Sequence, residues 1–200
     1  MGQLIEIRNL KKTFNNEVLF DNFNMMINEN EILVLMGPSG IGKSTLLNII
    51  GQLDDDYTGT VMYDPILFEG IQVPFPFIFQ EFDSILPWKT VEENIRIVRD
   101  GITTEELDQV LKMVSLDEHR NKYPAELSGG MKQRVGIGRA LICKSRILLM
   151  DEPFGSLDRE MRRKLQDFVV ELQKETGITI VMVTHDHDEA ERMGTRIIMI

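Results

Sequence analysis

The chain has 200 residues, of which 42% are hydrophobic and 27% are charged, as is typical of one soluble globular domain that can bury a core. Its net charge of −10 argues against a nucleic-acid-binding protein, because such proteins normally carry a basic stripe. Cys143 is the single cysteine, which excludes an intrachain disulfide, and no apolar run approaches the about 18 residues of a membrane span. We therefore expect a cytosolic protein with a buried, inert thiol.

Strands and helices are predicted in alternation along the first part of the chain. Predicted strands cover residues 3–10, 22–28, 31–36, 58–63 and 75–80, and a helix covers residues 43–53. The second strand places Phe23, Met25 and Ile27 on one face. The third, EILVLM, is a continuous apolar run ended by glycine and proline, as expected of a strand buried on both faces.

The rest of the chain is first helical and then alternates again. Helices are predicted over residues 91–98, 104–114, 127–141, 159–175 and 188–193, and strands over residues 146–150, 179–183 and 196–200. Repeated strand–helix units with buried apolar strands indicate an α/β protein with a mostly parallel sheet. The three consecutive helices interrupt that alternation and indicate an inserted helical subdomain.

The sequence GPSGIGKST, residues 37–45, fits the phosphate-loop pattern and lies between a buried strand and a helix, as that motif requires. Glycines let successive backbone N–H groups point inward at phosphate oxygens, Lys43 supplies a charge for the β and γ phosphates, and Ser44 offers a hydroxyl to Mg²⁺. The alternative is a glycine turn with a stray lysine. The predicted nucleotide-binding residues here are Gly37, Pro38, Ser39, Gly40, Ile41, Gly42, Lys43, Ser44 and Thr45.

A second candidate anion site opens the helix predicted at 127–141. Ser128, Gly129 and Gly130 precede an amphipathic run, and free N–H groups at a helix start favour negative charge. The alternative is that Ser128 is an ordinary helix cap.

Two carboxylates end the predicted strand RILLM. Asp151 and Glu152 would lie at the carboxyl edge of the sheet, where ligands bind in open α/β folds. Asp151 can hold Mg²⁺, and Glu152 can polarise the water that attacks the γ phosphate. Considered alone, this pair would be a solvated turn, but the phosphate loop favours a catalytic interpretation.

LSGG ahead of KQR, followed by LLMDEP, SLD and VTHD, resembles the ATPase subunit of ABC transporters from about residue 3 to residue 200. The resemblance implies a P-loop NTPase with a mostly parallel central sheet, an N-terminal antiparallel β part and a helical subdomain at roughly 88–142, all in one domain over 1–200. It implies hydrolysis of ATP with Mg²⁺. It also implies that two subunits, which are either two copies of this chain or two related ATPases, pack head to tail. In this arrangement the ATP held by one subunit is capped by Ser128, Gly129 and Gly130 of the other.

Four further positions match family motifs. The resemblance implies that Gln80 senses Mg²⁺ and the attacking water, that His185 contacts the γ phosphate, that Asp158 lies in a loop crossing the dimer interface, and that Phe14 stacks on adenine. Three of them have a plainer alternative: a polar strand end for Gln80, a structural or exposed histidine for His185, and a core side chain for Phe14. His187 competes with His185, but spacing from the strand favours His185.

The stretch QEFDSILPWKTVEENI, together with LSGGMKQR and DEPFGSLD, resembles importers of nitrate, sulfonate, taurine and related small solutes. That resemblance implies a peripheral position on the inner face of the membrane, an integral membrane permease as partner, and indirectly a solute-binding protein. Phe79, Phe82 and Trp88 would then line a docking groove for the permease, although core packing is an equal alternative for each.

Three departures from the family pattern stand beside this resemblance: residues 62–76 lack the usual glycine hairpin and basic loop, Gly138 replaces a more usual alanine, and the chain ends early, at Ile200. Two other function classes remain open, an ABC-type ATPase of repair or translation and a nucleotide-gated binding module that hardly hydrolyses. Such ATPases usually carry two cassettes or a long coiled coil, and Glu152 with His185 argues against the binding module.

Overall fold

The structure is a computed structural model that describes residues 2–15, 17–79 and 85–200. The strands are β1 Gln3–Phe14, β2 Glu17–Asn28, β3 Ile32–Met36, β4 Thr58–Tyr63, β5 Phe77–Ile78, β6 Ile147–Asp151, β7 Thr179–Thr184 and β8 Arg196–Met199. The helices are α1 Lys43–Ile50, α2 Val91–Arg96, α3 Thr104–Met113, α4 Gly129–Ile142, α5 Arg159–Thr176 and α6 His187–Met193. The predicted α/β class is confirmed.

A five-stranded sheet forms the centre, in the order β5-β6-β7-β3-β8, and all of its pairs are parallel. Strands β3 and β7 are buried along their whole length, because apolar layers cover both faces of the sheet. The predicted strand at 75–80 is shorter than expected within the described residues. Pro74 and Pro76 have no N–H to donate to a ladder, so pairing begins only at Phe77.

A second, antiparallel sheet of three strands has the order β2-β1-β4. Its β1–β2 hairpin is longer than predicted, since β1 continues to Phe14 and β2 begins at Glu17. Register shifts between Ile7 and Thr13 let polar and charged residues enter the strands without a strict alternation. Met25 and Ile27 are buried and Phe23 is half-buried, as their shared face predicts.

Two apolar layers pack against the central sheet. Alternate side chains of β3 go to opposite layers: Ile32, Val34 and Met36 to one that includes α2 to α5, and Leu33 and Leu35 to one that includes α1 and the antiparallel sheet. The strands are thus fixed from both sides, which holds their carboxyl ends in register.

Helices α2, α3 and α4 follow one another between β5 and β6, where the helical subdomain was predicted. Gly138 lets α4 approach α2 closely, since a Cβ atom at this position would lie 2.9 Å from Cδ1 of Ile95. A glycine inside a helix is less favourable than alanine by up to about 1 kcal/mol, and the close approach to Ile95 gives a packing reason for it.

Cys143 is 3% exposed, as predicted, and burial raises the pKa of its thiol. Among the described residues, none of the helices combines the length and the apolar character needed to span a bilayer.

Gly59→Ala is expected to lower the thermal midpoint of unfolding by several degrees. Gly59 has a φ of 103°, and a Cβ atom there would lie 2.5 Å from the carbonyl oxygen of Asn9. Left-handed strain costs about 1–3 kcal/mol, and the backbone clash adds to it. The matched control is Gly70→Ala, where φ is 68° but no atom lies within 4 Å of the added Cβ. Equal midpoints for the two variants in calorimetry would contradict the clash.

Candidate functional site

Three neighbouring strands deliver their loops to one edge of the central sheet. Strand β7 lies between β3 and β6, and all three are parallel, so the segments after Met36, Asp151 and Thr184 leave the sheet side by side. The carboxyl edge of such a sheet is where open α/β folds bind ligands. The predicted phosphate loop, carboxylate pair and histidine all meet at this edge.

The loop from Gly37 to Gly42 connects β3 to α1. Gly40 and Gly42 have φ values of 82° and 107°, which direct the backbone into the helix start. Lys43 is 5% exposed, and its Nζ donates to the carbonyl oxygens of Gly37 and Pro38 at 2.9 Å each. An ammonium group has three donors, so one of them remains for an anion while these two carbonyl oxygens are engaged.

The hydroxyl of Ser44 donates to Oδ1 of Asp151 at 3.0 Å, although the residues are far apart in the chain. Burial raises the pKa of the Asp151 carboxyl, and the bond from Ser44 opposes that shift. Within the described ranges no group of three or more His, Cys, Asp or Glu side chains forms a metal cage. One hydroxyl and one carboxylate instead fit Mg²⁺ that arrives with a phosphate and keeps several waters.

Glu152 and His185 are in direct contact, with Nδ1 of His185 3.1 Å from Oε1 of Glu152. The side chain of Glu152 is 25% exposed and that of His185 is 58% exposed, so both reach the open side of the site. His187 is exposed and is the first residue of α6, a position that sets it apart from this pair. This contact supports the choice of His185 over His187, which stays a prediction.

Ser128 and Asp158 each cap a helix. The hydroxyl of Ser128 accepts from the N–H of Met131 at 3.3 Å, and the carboxylate of Asp158 accepts from Glu160 and Met161, both at 3.0 Å. Ser128 is exposed, Gly129 is half-buried and Gly130 is buried. The two helix starts meet, since a Cβ atom at Gly130 would lie 2.6 Å from Sδ of Met161. The cap predicted as the alternative for Ser128 is therefore present, on an exposed residue.

Phe14 ends β1 and is 58% exposed, so the alternative that it belongs to the core is wrong. Phe79 and Trp88 are 42% and 69% exposed, which also excludes core packing for these two aromatics. Gln80 and Phe82 lie outside the described residues.

The sequence motifs predict no role for Gln133, although this residue bonds to the loop that follows Glu152. Its Nε2 donates to the carbonyl oxygen of Pro153 at 2.7 Å. A bond from a helix side chain to a distant backbone carbonyl has no local sequence signal.

The family model described as "ABC transporter" matches residues 20–155. The aliphatic sulfonates import ATP-binding protein SsuB of Bacillus licheniformis is 42% identical over 190 residues, covering 94% of this chain and 74% of that protein. The nitrate import ATP-binding protein NrtC of a Synechocystis species is 41% identical over 196 residues, covering 92% of this chain and 28% of that protein.

Solved structures of two ABC cassettes have the same fold. A dimeric ATP-binding cassette in a post-hydrolysis state, bound to ADP and Pi, is 34% identical with a TM-score of 0.79, covering 98% of this chain and 94% of that one. For cbiO1 of Clostridium perfringens, part of the ABC transporter complex cbiONQ, the TM-score is 0.87 at 24% identity, with 100% of this chain and 85% of that chain covered.

Proposed function

The chain belongs to the family of ABC transporter ATP-binding subunits, which are ATPases, and we propose that it powers the import of a small solute of the sulfonate or nitrate type. The observation that supports the ATPase role most directly is the meeting of Lys43, the Ser44–Asp151 pair and the Glu152–His185 pair at one sheet edge. This arrangement supports a site in which adjacent loops supply groups for phosphate binding, for metal binding and for activating water. The solute type rests on the likeness to the sulfonate and nitrate import proteins.

Each group has a part in hydrolysis. The loop N–H groups and Lys43 bind the phosphates of ATP, and Ser44 and Asp151 would hold Mg²⁺, which when bound neutralises phosphate charge. Glu152 accepts a proton from the attacking water, and His185 orients the Glu152 carboxylate and contacts the γ phosphate. Gln80 is assigned to the same water and metal on its motif alone, and exposed Phe14 offers a ring face to adenine.

The complete site needs a second subunit. Exposed Ser128, with Gly129 and Gly130, would cap the ATP of a partner chain packed head to tail, and Asp158 would lie in the loop that crosses the interface. The likeness to a dimeric cassette bound to ADP and Pi supports this arrangement.

Gly129→Asp is expected to leave ATP binding by a dilute single subunit intact and to abolish hydrolysis. The new carboxylate would meet the partner's γ phosphate, and like charges oppose closure. Equilibrium ATP binding and steady-state hydrolysis measure the two effects separately. Loss of binding by the dilute monomer would instead mean that this helix start acts within its own chain.

Mixing two inactive variants sharpens this test. In a mixed dimer of Lys43→Ala and Gly129→Asp chains, one site combines both lesions and the other combines an intact loop with an intact Ser128–Gly130 segment. Hydrolysis should therefore return on mixing if the segment acts across the dimer. Absence of recovery, with mixed dimers demonstrated by cross-linking, would contradict the head-to-tail site.

The transport role has its own test. We propose that the chain is peripheral on the inner face of the membrane through a multi-helix permease, with a solute-binding protein as an indirect partner. Affinity purification from the host membrane should recover such a permease, and deletion of the gene should abolish uptake of one sulfonate- or nitrate-like solute. Recovery of ribosomes or nucleic acid instead would support an ATPase of repair or translation.

A further inference from the structure

Gln133 is a buried polar side chain on α4, one turn beyond the Ser128–Gly130 segment. It is 4% exposed, and its Nε2 donates to the carbonyl oxygen of Pro153 at 2.7 Å and to that of Phe79 at 3.4 Å. Burying an amide is unfavourable unless its hydrogen bonds are satisfied. Here both amide hydrogens are directed at backbone oxygens of other segments, and the shorter bond reaches the residue directly after Glu152.

The backbone of Glu152 is held in an unusual conformation. Its φ is 44°, in the left-handed region, where a residue with a side chain costs about 1–3 kcal/mol and persists only when its surroundings determine it. On one side, the N–H of Glu152 donates to the carbonyl oxygen of Val183 at 3.1 Å. On the other, Pro153 has a fixed φ and its carbonyl accepts the bond from Gln133.

We propose that Gln133 is a positioning residue for Glu152. By anchoring the carbonyl of Pro153, it fixes the direction in which the Glu152 carboxylate leaves the backbone, and it ties that direction to the helix that begins at Ser128. The inference rests on the proposed role of Glu152 as the base that accepts the proton of water.

A second buried glutamine in the same chain serves as a control for a purely structural role of Gln133. Gln173 on α5 is 6% exposed, and its Nε2 donates to the carbonyl oxygen of Asn30 at 3.0 Å. This bond lies at the amino edge of the sheet, before β3, away from the Glu152 loop. Loss of either amide should cost stability, but only Gln133 should affect the rate of hydrolysis.

Gln133→Met keeps the length of the side chain and removes both donors. We expect kcat to fall about 10- to 100-fold, as small misplacements of reacting groups do, while ATP affinity stays within about twofold of wild type. Both variants should lower the thermal midpoint of unfolding by a similar amount. Gln173→Met, however, should leave kcat near the wild-type value. Equal kcat losses in the two variants would overturn the proposal.

A double-mutant cycle separates positioning from general damage. If Gln133 acts through Glu152, adding Gln133→Met to Glu152→Gln should lower the single-turnover rate no further, because coupled residues are not additive. Additive losses would overturn the proposal. If Glu152→Gln alone hydrolyses ATP at the wild-type rate, the proposed base is wrong; if Glu152→Gln is inactive and Gln133→Met is normal, only the role of Gln133 fails.

Should Gln133→Met not fold, Gln133→Asn replaces it. It keeps a polar amide but withdraws it by about 1.5 Å, which takes the 2.7 Å bond beyond hydrogen-bond range. The same loss of kcat at unchanged ATP affinity is expected, and a wild-type kcat would overturn the inference.

Discussion

Lys43→Ala is expected to weaken ATP binding about a hundredfold or more while the domain stays folded. The ammonium group is already buried and held by the carbonyl oxygens of Gly37 and Pro38, so it needs little reorganisation to meet phosphate. Hydrogen bonds to charged groups contribute about 1.5–3 kcal/mol each, and bonds to two phosphates together therefore correspond to about two to four decades of affinity. Equilibrium binding of a fluorescent ATP analogue measures the loss.

The control for Lys43→Ala is Lys144→Ala. Lys144 lies just after α4 and pairs with Glu106 of α3 at 2.6 Å, so this change removes the same charge from a chain of net charge −10. Charges this exposed are screened over about 8–10 Å in physiological salt, so ATP affinity should stay near wild type. Near-normal affinity in Lys43→Ala, or an equal loss in both variants, would contradict the phosphate-loop role of Lys43.

The central strands could be predicted because their signals are local. EILVLM and RILLM are mostly apolar without alternation, and glycine, proline or acidic residues end them within one residue of the ends of β3 and β6. The phosphate loop could be predicted for the same reason, since its glycines, Lys43 and Ser44 are contiguous.

Other parts of the fold depend on partners that the local sequence does not show. Glu17 to Phe20 extend β2 because β1 pairs with them, not because of their own pattern. The late start of β5, at Phe77, reflects Pro74 and Pro76, which outweigh the aromatic content of that stretch. Gly138 has a packing reason only once Ile95 is known to face it.

The candidate site, like the fold, has features that the local sequence predicts and features that it does not. The motifs predict which residues reach the sheet edge, but the contacts between them arise from topology: Ser44 meets Asp151 because α1 follows β3 and β7 alone separates β3 from β6. The left-handed conformation of Glu152 and its support by Gln133 have no local signal at all, since glycine is the residue usually expected at positive φ.

Glu152→Gln is expected to lower the rate of ATP hydrolysis about a hundred- to ten-thousand-fold, the usual effect of losing a general base. Glutamine keeps the size of the side chain, and its Oε1 can still accept a hydrogen bond from Nδ1 of His185, which lies 3.1 Å from that atom of Glu152. Lys43, Ser44 and Asp151 are unchanged, so Mg-ATP affinity should remain near wild type. A single-turnover assay isolates this chemical step.

The same variant tests assembly. Unhydrolysed ATP would persist between Lys43 of one chain and Ser128 of the other, and removal of the Glu152 charge reduces its repulsion with the γ phosphate, so closure is favoured further. Light scattering with Mg-ATP should show a stable dimer for Glu152→Gln and mostly monomer for wild type. Glu175→Gln, which removes an exposed carboxylate at the end of α5, should behave as wild type in both assays. Hydrolysis at the wild-type rate in Glu152→Gln would remove Glu152 from the catalytic role, because the substitution takes away the charge and the proton-accepting oxygen that this role requires.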